Sequence, residues 1–214
     1  MFIRLSLILP EIIVAGTAML VLLLDFTLRP KKRVLLSLGL LGLALAAWFS
    51  ATKISGSLIP LFSGTFSPDF FTALFRLLFI GLGAAILFLL FEYREVDSGE
   101  FIALLLFSIL GMMLLAGSTD LIMIYVALET VSISSYILAA LNKKDIKSQE
   151  AGLKYLLLGS LASAIFLYGL SLLYGLTGTT NLAYIGYTLL FGNIGPVIML
   201  ATVMVIAAIG FKIA

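Results

Sequence analysis

Hydrophobic residues occur along this chain in long blocks, not in the short alternating patterns of water-soluble domains. Seven blocks are about the length that a helix needs to cross the ~30 Å hydrocarbon core of a bilayer. Polar segments containing glycine and proline separate them. The predicted spans cover residues 3–28, 34–51, 69–91, 101–116, 121–141, 149–174 and 195–214. The pattern therefore predicts an all-α, polytopic integral membrane protein with about seven transmembrane helices.

Local signals between the blocks predict how some spans begin and where the loops lie. Pro10 suits an early helical turn, where its missing N–H is tolerated. Ser118, Thr119 and Asp120 form a plausible N-cap cluster for the fifth span. Segments 52–68 and 175–193 are predicted as loops, the first because it carries two glycines and two prolines.

Small residues and one charge pair predict contacts within and between the helices. Gly39 and Gly42 in the second span, and Gly159 and Ser163 in the sixth, allow a neighbouring helix to approach closely. At the start of the sixth span, Glu150 and Lys154 are four residues apart, which favours a side-chain ion pair.

The fifth span carries a polar stripe on an otherwise apolar helix. Tyr125, Glu129, Ser132 and Tyr136 follow the spacing i, i+4, i+7, i+11, which places them within a sector of about 60°. Glu129 lies near the middle of the span, where an ionised carboxylate is unfavourable by about 2.5 kcal/mol or more. The functional interpretation is a proton or ion site facing the bundle interior. The structural alternative is a carboxylate paired with a neighbouring helix or kept protonated by burial.

Composition narrows the chemistry that the chain can perform. Hydrophobic residues make up 62% and charged residues 11% of the sequence, which excludes a soluble globular domain. The chain has no cysteine and no histidine, so disulfides, thiol nucleophiles, iron–sulfur ligation and imidazole chemistry are not expected. We predict no metal or cofactor site in this chain. Basic residues lie in short loops between spans, so nucleic-acid binding is not expected either.

The loop charges predict how the chain lies in the membrane. The first 28 residues are interpreted as a retained span, because their apolar run is too long for a signal peptide. Eight basic residues lie in the loops after the first, third and fifth spans: Arg29, Lys31, Lys32, Arg33, Arg94, Lys143, Lys144 and Lys147. The opposite side carries only Arg4 and Lys53. This bias predicts a multi-pass protein with its N-terminus outside.

Few charges remain within the spans. Arg76 is interpreted as an interfacial anchor, because arginine can extend toward the headgroups from its depth in the third span. For Lys154 the sequence leaves two interpretations open: a part in proton movement, and simple neutralisation of Glu150. Lys212 has no charged neighbour within two turns. A buried lysine favours its neutral form unless a carboxylate lies beside it, so an adjustable acid–lysine pair acts as a proton switch.

The residues from Ser118 to Gly186 carry a resemblance to a known family. The stretch SSYILAALNKKDIKSQEAGLKY, together with LPEI near the start and GFKIA at the end, is similar to the antiporter-like membrane subunit lettered N of respiratory complex I. The resemblance covers essentially the whole chain. It implies that Glu129 and Lys212 pair in a proton pathway, and that Lys154 lies near the side where protons are taken up.

The same resemblance implies a fold and a division of the chain. The family has about fourteen helices, including two inverted repeats. Residues 1–100 would then form an N-terminal unit of three helices, and residues 101–214 would form helices four to seven of the first repeat. Because the sequence stops inside an apolar helix, we expect the native subunit to be longer.

The resemblance also implies partners and a location. We expect a proton-translocating subunit of an NADH:quinone oxidoreductase, in the plasma membrane or an equivalent energy-coupling membrane. Flavin, iron–sulfur clusters and quinone would belong to partner subunits of the membrane complex. Tyr125, Ser132 and Tyr136 would support the relay of Glu129 and Lys212. Two alternatives remain: a subunit of a multisubunit sodium/proton antiporter, and a non-pumping structural element.

Overall fold

The structure is a computed structural model that describes residues 6–28, 30–52, 61–92, 99–191 and 195–213. Within these ranges eight α-helices follow one another, named here α1 to α8. They are α1 Leu9–Leu28, α2 Lys32–Thr52, α3 Phe70–Leu89, α4 Gly99–Ala116, α5 Leu121–Ala139, α6 Ile146–Thr177, α7 Leu182–Phe191 and α8 Pro196–Ile213. All but α7 are long and apolar enough to cross a membrane. The predicted class and the seven spans are therefore confirmed.

Several boundaries differ from the predicted ones for local reasons. Helix α6 has 32 residues and extends beyond the predicted span at both ends. It begins because the Asp145 side chain accepts a hydrogen bond from the Lys147 backbone N–H, and it ends at Gly178, whose φ of 68° suits glycine. Helix α1 begins at Leu9, so residues 6–8 precede it, and the predicted start at residues 3–5 lies outside the described residues. The prediction of a continuous loop over 175–193 was wrong, because α7 lies within it.

Three predicted connections fall partly on residues that the structure does not describe. The connection after the third span includes residues 93–98, the loop 52–68 includes residues 53–60, and the segment 175–193 includes residues 192 and 193; these stretches lie outside the described ranges. The described part of the second loop is irregular, with a short 3₁₀ turn at Phe62–Gly64. Asp120 caps α5 as predicted, accepting a hydrogen bond from the Ile122 N–H at 2.9 Å.

The first four helices pack around one hydrophobic core. Val14, Leu36, Leu87 and other side chains in this core have no solvent exposure. The predicted close approach at the small residues of α2 is confirmed, since a Cβ on Gly42 would lie 2.2 Å from the Thr17 side chain. This half of the described chain is held together by ordinary tight packing of apolar side chains.

The last four helices share a second core in which α6 contacts both α5 and α8. Phe166 of α6 and Ala201 of α8 are fully buried or nearly so in this core. The two cores meet where α4 packs against α5. There a Cβ on Gly111 would lie 3.0 Å from the carbonyl oxygen of Ala127, so a glycine allows the two backbones to approach.

Three connections are hydrogen-bonded to one another at one end of the bundle. We call residues 61–69, 117–121 and 178–182 the loop cluster. Its backbone bonds include Ser67 N–H to the Gly117 carbonyl at 2.8 Å and Leu121 N–H to the Thr180 carbonyl at 2.9 Å. The Gly64 carbonyl accepts from the Thr119 hydroxyl at 2.7 Å, and Gly64 has a φ of 93° that favours glycine. The cluster fixes the helix ends from which α3 and α5 start.

The connections after α1, α3 and α5 lie together at the opposite end. The Lys143 ammonium lies 3.7 Å from the Glu100 carboxylate, which brings the α5–α6 connection to the start of α4. A Cβ on Gly99 would lie 2.5 Å from Asp25 Cγ, so the end of α1 also reaches this point. The described parts of these connections, which include Lys31, Lys143, Lys144 and Lys147, therefore lie at one face, while Arg29 and Arg94 lie outside the described residues. The compartment that this face meets stays a prediction.

Candidate functional site

The centre of the candidate site is an ion pair between α5 and α8. Glu129 is the ninth of 19 residues in α5, and Lys212 lies in the last turn of α8. The Lys212 Nζ lies 2.7 Å from Glu129 Oε1 and 3.1 Å from the Ser132 hydroxyl oxygen. The lysine side chain is 10% exposed and the glutamate side chain 20% exposed. Two residues 83 positions apart thus form a largely buried, charge-assisted hydrogen bond.

A serine on α6 completes the coordination of the carboxylate. The Ser163 hydroxyl donates to Glu129 Oε1 at 2.5 Å, so Oε1 accepts from two helices while Oε2 takes no part in these bonds. The same hydroxyl lies 3.0 Å from the Gly159 carbonyl oxygen of its own helix. Since a hydroxyl has a single proton, it can serve only one of these acceptors at a time.

Ser132 contributes an acceptor to the lysine and keeps its own proton for another partner. Its oxygen accepts from Lys212, and within the described residues its hydroxyl donates to no other group. Ser132 lies three residues after Glu129, so both face α8 from one side of α5. The pair therefore sits among hydroxyls that can reorient, and these are suitable groups for ordering water.

The two tyrosines of the predicted stripe pack against aromatic rings of α6 and, among the described residues, form no hydrogen bond with the ion pair. The Tyr125 ring stacks on Phe166 of α6 with centroids 6.1 Å apart. Tyr136 is buried and packs edge-on against Tyr155 at 4.7 Å. A Cβ on Gly159 would lie 2.0 Å from the Tyr136 hydroxyl oxygen, so the small residue predicted for close contact does meet a neighbour. Their support of the relay stays a prediction.

Lys154 lies away from the ion pair. It forms the predicted i, i+4 ion pair with Glu150, and the two side chains are 68% and 57% exposed. Lys154 is nine residues before Ser163 on α6, or about 14 Å along the helix axis. The structure thus places Lys154 at an exposed position near the start of α6, and its predicted part in proton uptake stays a prediction.

The structure contains a second buried ion pair that sequence reasoning missed. Arg76 Nε donates to Glu11 Oε1 at 2.6 Å, and both side chains are 3% exposed. The guanidinium also donates to the Leu7 carbonyl at 3.2 Å and lies over the Phe66 ring, 5.4 Å from its centroid. The prediction that Arg76 is an interfacial anchor was therefore wrong. A buried carboxylate within reach made burial of the guanidinium more favourable than extension toward the headgroups.

A signal for this pair was present in the sequence. Glu11 lies in the first turn of α1, and Arg76 lies in the second turn of α3. Alternating spans place the starts of α1 and α3 at the same membrane face, so the two residues lie at similar depth. Matching opposite charges by depth on different spans would have suggested the pair.

The described residues contain no group of three or more acidic, cysteine or histidine side chains that could hold a metal ion. The polar groups bonded to the Glu129–Lys212 pair are the hydroxyls of Ser132 and Ser163. The arrangement can hold a proton on the ammonium, share it with the carboxylate, and exchange it with a hydroxyl or with water.

Comparisons with known proteins identify what this chain is similar to. A family model described as NADH:quinone oxidoreductase/Mrp antiporter, TM matches residues 118–214. NADH-quinone oxidoreductase subunit N 2 of Rhizobium meliloti is 37% identical over 207 residues, which are 95% of this chain and 43% of that protein. NAD(P)H-quinone oxidoreductase subunit 2 of Prochlorococcus marinus is 46% identical over 178 residues, which are 81% of this chain and 34% of that protein.

Two solved structures share the fold. A chain of respiratory complex I from Thermus thermophilus has a TM-score of 0.76 and 32% identity, covering 95% of this chain and 43% of that one. A chain of an archaeal membrane-bound sulfane sulfur reductase has a TM-score of 0.80 and 22% identity, covering 97% of this chain and 44% of that one. The second likeness concerns the fold alone. The chain spans less than half the length of the relatives it matches.

Proposed function

We propose that this chain moves protons through its Glu129–Lys212 pair. The chain belongs to the antiporter-like membrane subunits represented by subunit N of NADH:quinone oxidoreductases. The observation that carries this proposal is the 2.7 Å contact between ammonium and carboxylate inside the bundle. Ionisable groups at such a depth are unfavourable unless they are paired, and they commonly mark ion or proton pathways.

The proposed step is a change in proton occupancy that follows opening and closing of the pair. While the pair is closed, the carboxylate stabilises the proton on Lys212. When the pair opens, the ammonium loses that stabilisation. Because its surroundings have low polarity, it then releases one proton to water. Closing the pair favours recapture of a proton by Lys212. Protons therefore move in one direction only if the open pair and the closed pair have access to opposite sides of the membrane.

The surrounding hydroxyls support a pair that can open. Ser132 lies 3.1 Å from the Lys212 Nζ, so the ammonium keeps one acceptor when it leaves the carboxylate. Ser163 keeps a donor on Glu129 and can turn to the Gly159 carbonyl when the carboxylate changes state. Tyr125 and Tyr136 would hold α6 against α5 by packing. Lys154 would exchange protons with the solution at the basic face.

The setting of this step would be a larger membrane complex. Because the chain has no cysteine or histidine to ligate an iron–sulfur cluster, we infer that this chemistry, together with flavin and quinone reduction, lies in other subunits. The redox energy would reach this chain as a shift of helices or of nearby charge. The localisation that fits is an energy-coupling membrane such as the plasma membrane, with the N-terminus outside and the basic face in the cytoplasm.

A second candidate function is cation/proton exchange without a redox partner. The description of the matching family model names both the oxidoreductases and the Mrp antiporters, so the same helices serve both classes. In that case the Glu129–Lys212 pair would exchange protons against a cation. A deletion that abolishes sodium tolerance and leaves NADH oxidation intact would favour this second function.

The test uses Glu129→Gln in the native full-length subunit, assayed in membrane vesicles with a pH-sensitive dye during NADH oxidation. We expect proton uptake per NADH oxidised to fall sharply, because an amide cannot stabilise the ammonium as a carboxylate does. The matched control is Glu92→Gln, which makes the same change at an exposed position after α3. We expect the control to behave as the unmodified protein.

Assembly must be measured beside transport. The amount of complex is determined by native gel electrophoresis with an NADH dehydrogenase stain. Assembled complex with lost proton uptake supports the proposal. Unchanged uptake in assembled Glu129→Gln would refute it, and a loss of assembly with normal uptake per remaining complex would favour a purely structural pair.

A further inference from the structure

A cavity of about 900 Å³ opens at the basic face, where the end of α1 meets the starts of α2 and α4. Its wall contains apolar side chains, among them Leu23, Phe26 and Leu104. Its charged lining residues within the described ranges are Asp25, Lys31, Lys32 and Glu100. The cavity is far from the loop cluster, which lies at the other end of the bundle.

The cavity changes from apolar to charged along the direction of the helix axes. Leu23 and Phe26 are 61% and 84% exposed, on the last two turns of α1. Leu104 lies five residues inside α4, or about 8 Å deeper than the start of that helix. The charged residues lie at the helix ends, where the hydrocarbon region gives way to headgroups. This order matches a phospholipid, in which acyl chains lie deeper than the phosphate.

Two opposite charges in this cavity lack partners among the described residues. The side chains of Asp25 and Lys31 make no hydrogen bond or ion pair with another residue in the described ranges. They do not pair with each other either, although both line the cavity. Glu100, which also lines it, has Lys143 at 3.7 Å. A ligand that carries both signs of charge would satisfy Asp25 and Lys31 together.

We propose that this cavity holds one zwitterionic phospholipid of the phosphatidylethanolamine type. Its phosphodiester lies on the Lys31 ammonium, and its own ammonium donates to the Asp25 carboxylate. Its acyl chains cover Leu23, Phe26 and Leu104. Ethanolamine fits better than choline, because a primary ammonium has three N–H donors and a quaternary one has none. A purely anionic headgroup would leave its negative charge near Asp25.

The test measures lipid binding to the native full-length subunit, purified with its natural partners, stripped of lipid by detergent, and titrated with defined phospholipids. Native mass spectrometry reports the bound fraction for phosphatidylethanolamine, phosphatidylcholine and phosphatidylglycerol of equal chain length. In the unmodified protein we expect ethanolamine lipid to bind about fivefold more tightly than choline lipid. This comparison needs no variant, so it does not depend on variant folding.

Two variants separate the two charge contacts. Asp25→Asn should weaken ethanolamine binding about fivefold and remove the discrimination against choline, because only the amine contact changes. Lys31→Gln should weaken both lipids to a similar degree, because the phosphate is common to them. Lys147→Gln, an exposed basic residue at the same face, is the matched control and should change neither.

Three results would overturn the proposal. They are equal binding of ethanolamine and choline lipid by the unmodified protein, preference for phosphatidylglycerol, and a loss in Lys147→Gln as large as in Lys31→Gln. Retention of a peptide segment by cross-linking at Phe26, with no lipid retained, would instead make the cavity a contact with a protein partner.

Discussion

Two buried acid–base pairs among the described residues differ in how firmly they are held. Glu11 and Arg76 are each 3% exposed, and the guanidinium is also fixed by the Leu7 carbonyl and the Phe66 ring. Glu129 and Lys212 are 20% and 10% exposed, and their remaining contacts are hydroxyl groups. The first pair has a planar, multiply bonded cation, while the second has a flexible cation with alternative partners.

This difference shows how one kind of charge pair can either stabilise the fold or move protons. Arginine keeps its proton in proteins, so the Glu11–Arg76 pair cannot deliver a proton from its cation. Lysine can lose its proton when it is buried without a carboxylate. The identity of the cation and the contacts around it therefore predict that the α1–α3 pair locks helices and the α5–α8 pair exchanges protons.

Among the variants considered, Arg76→Met should lower the free energy of unfolding most. The change leaves the Glu11 carboxylate buried without its cation, which should lower the free energy of unfolding by about 3–5 kcal/mol. One oxygen of that carboxylate, Oε2, already has no hydrogen-bond partner among the described residues. Unfolding by detergent titration would measure the loss. The double variant Glu11→Leu/Arg76→Met should recover most of it, because no uncompensated charge remains.

If Arg76→Met folded as well as the unmodified protein, the pair would not lock the helices. If the double variant remained as unstable as the single one, packing would explain the effect and the charge would not.

A smaller effect is expected from Gly159→Ala, which acts on the second pair only. The added methyl group would lie against the Tyr136 ring and push α6 from α5, which should lower stability by about 1–3 kcal/mol. Ser163, one turn further on α6, would then move from Glu129. We expect proton uptake per assembled complex to fall as well. Gly175→Ala on the same helix, where an added Cβ meets nothing within 4 Å, is the control.

A still smaller stability change is expected from Lys212→Met. The free energy of unfolding should fall by roughly 1–2 kcal/mol, because Glu129 keeps its bond from Ser163 and is partly exposed. Proton uptake should nevertheless be lost, since methionine carries no proton. Detergent titration measures the small loss of stability, and the vesicle assay measures the loss of proton uptake. A stability loss equal to that of Arg76→Met with normal transport would contradict the proposed division of roles.

The smallest effect is expected from Lys154→Met, which removes an exposed ion pair. Such pairs contribute about 0–1 kcal/mol, so stability should hardly change. If Lys154 takes part in proton uptake, the rate of transport should fall and the maximal gradient should stay the same. An unchanged rate would leave Lys154 only its contact with Glu150.

The sequence predicted features that depend on one helix at a time. The apolar blocks gave the seven spans, and helical spacing placed Glu129 and Ser132 on one face of α5. The Asp120 cap and the Glu150–Lys154 pair followed from local rules. The partner of Glu129 came from the resemblance to a family, because 83 residues separate it from Lys212 and no periodic pattern spans that distance.

The Glu11–Arg76 pair, which joins two helices, was not predicted. Arg76 was judged by its depth on α3 alone, so its partner on α1 escaped notice. Helix α7 lies in a segment predicted as a loop, and its ten residues are too few to cross a bilayer. The helix begins after Asn181, whose side chain accepts hydrogen bonds from the Ala183 and Tyr184 N–H groups, and Ile185 is 4% exposed in the second core.

The loop cluster also has a consequence for the order of events during synthesis. The Gly64 carbonyl accepts hydrogen bonds from Thr119 and from Asn181, which are made 55 and 117 residues later. At typical rates of translation, the second donor is polymerised roughly 6–23 s after the acceptor. Until then the first four helices are already made, but the hydrogen bond from Asn181 to the Gly64 carbonyl has not formed. This bond is one of those that hold α5 and α6 to the first four helices. If a ribosome pauses before residue 181, the inserted protein therefore has an incomplete loop cluster. Proteases at the membrane face where the loop cluster lies could then cleave it.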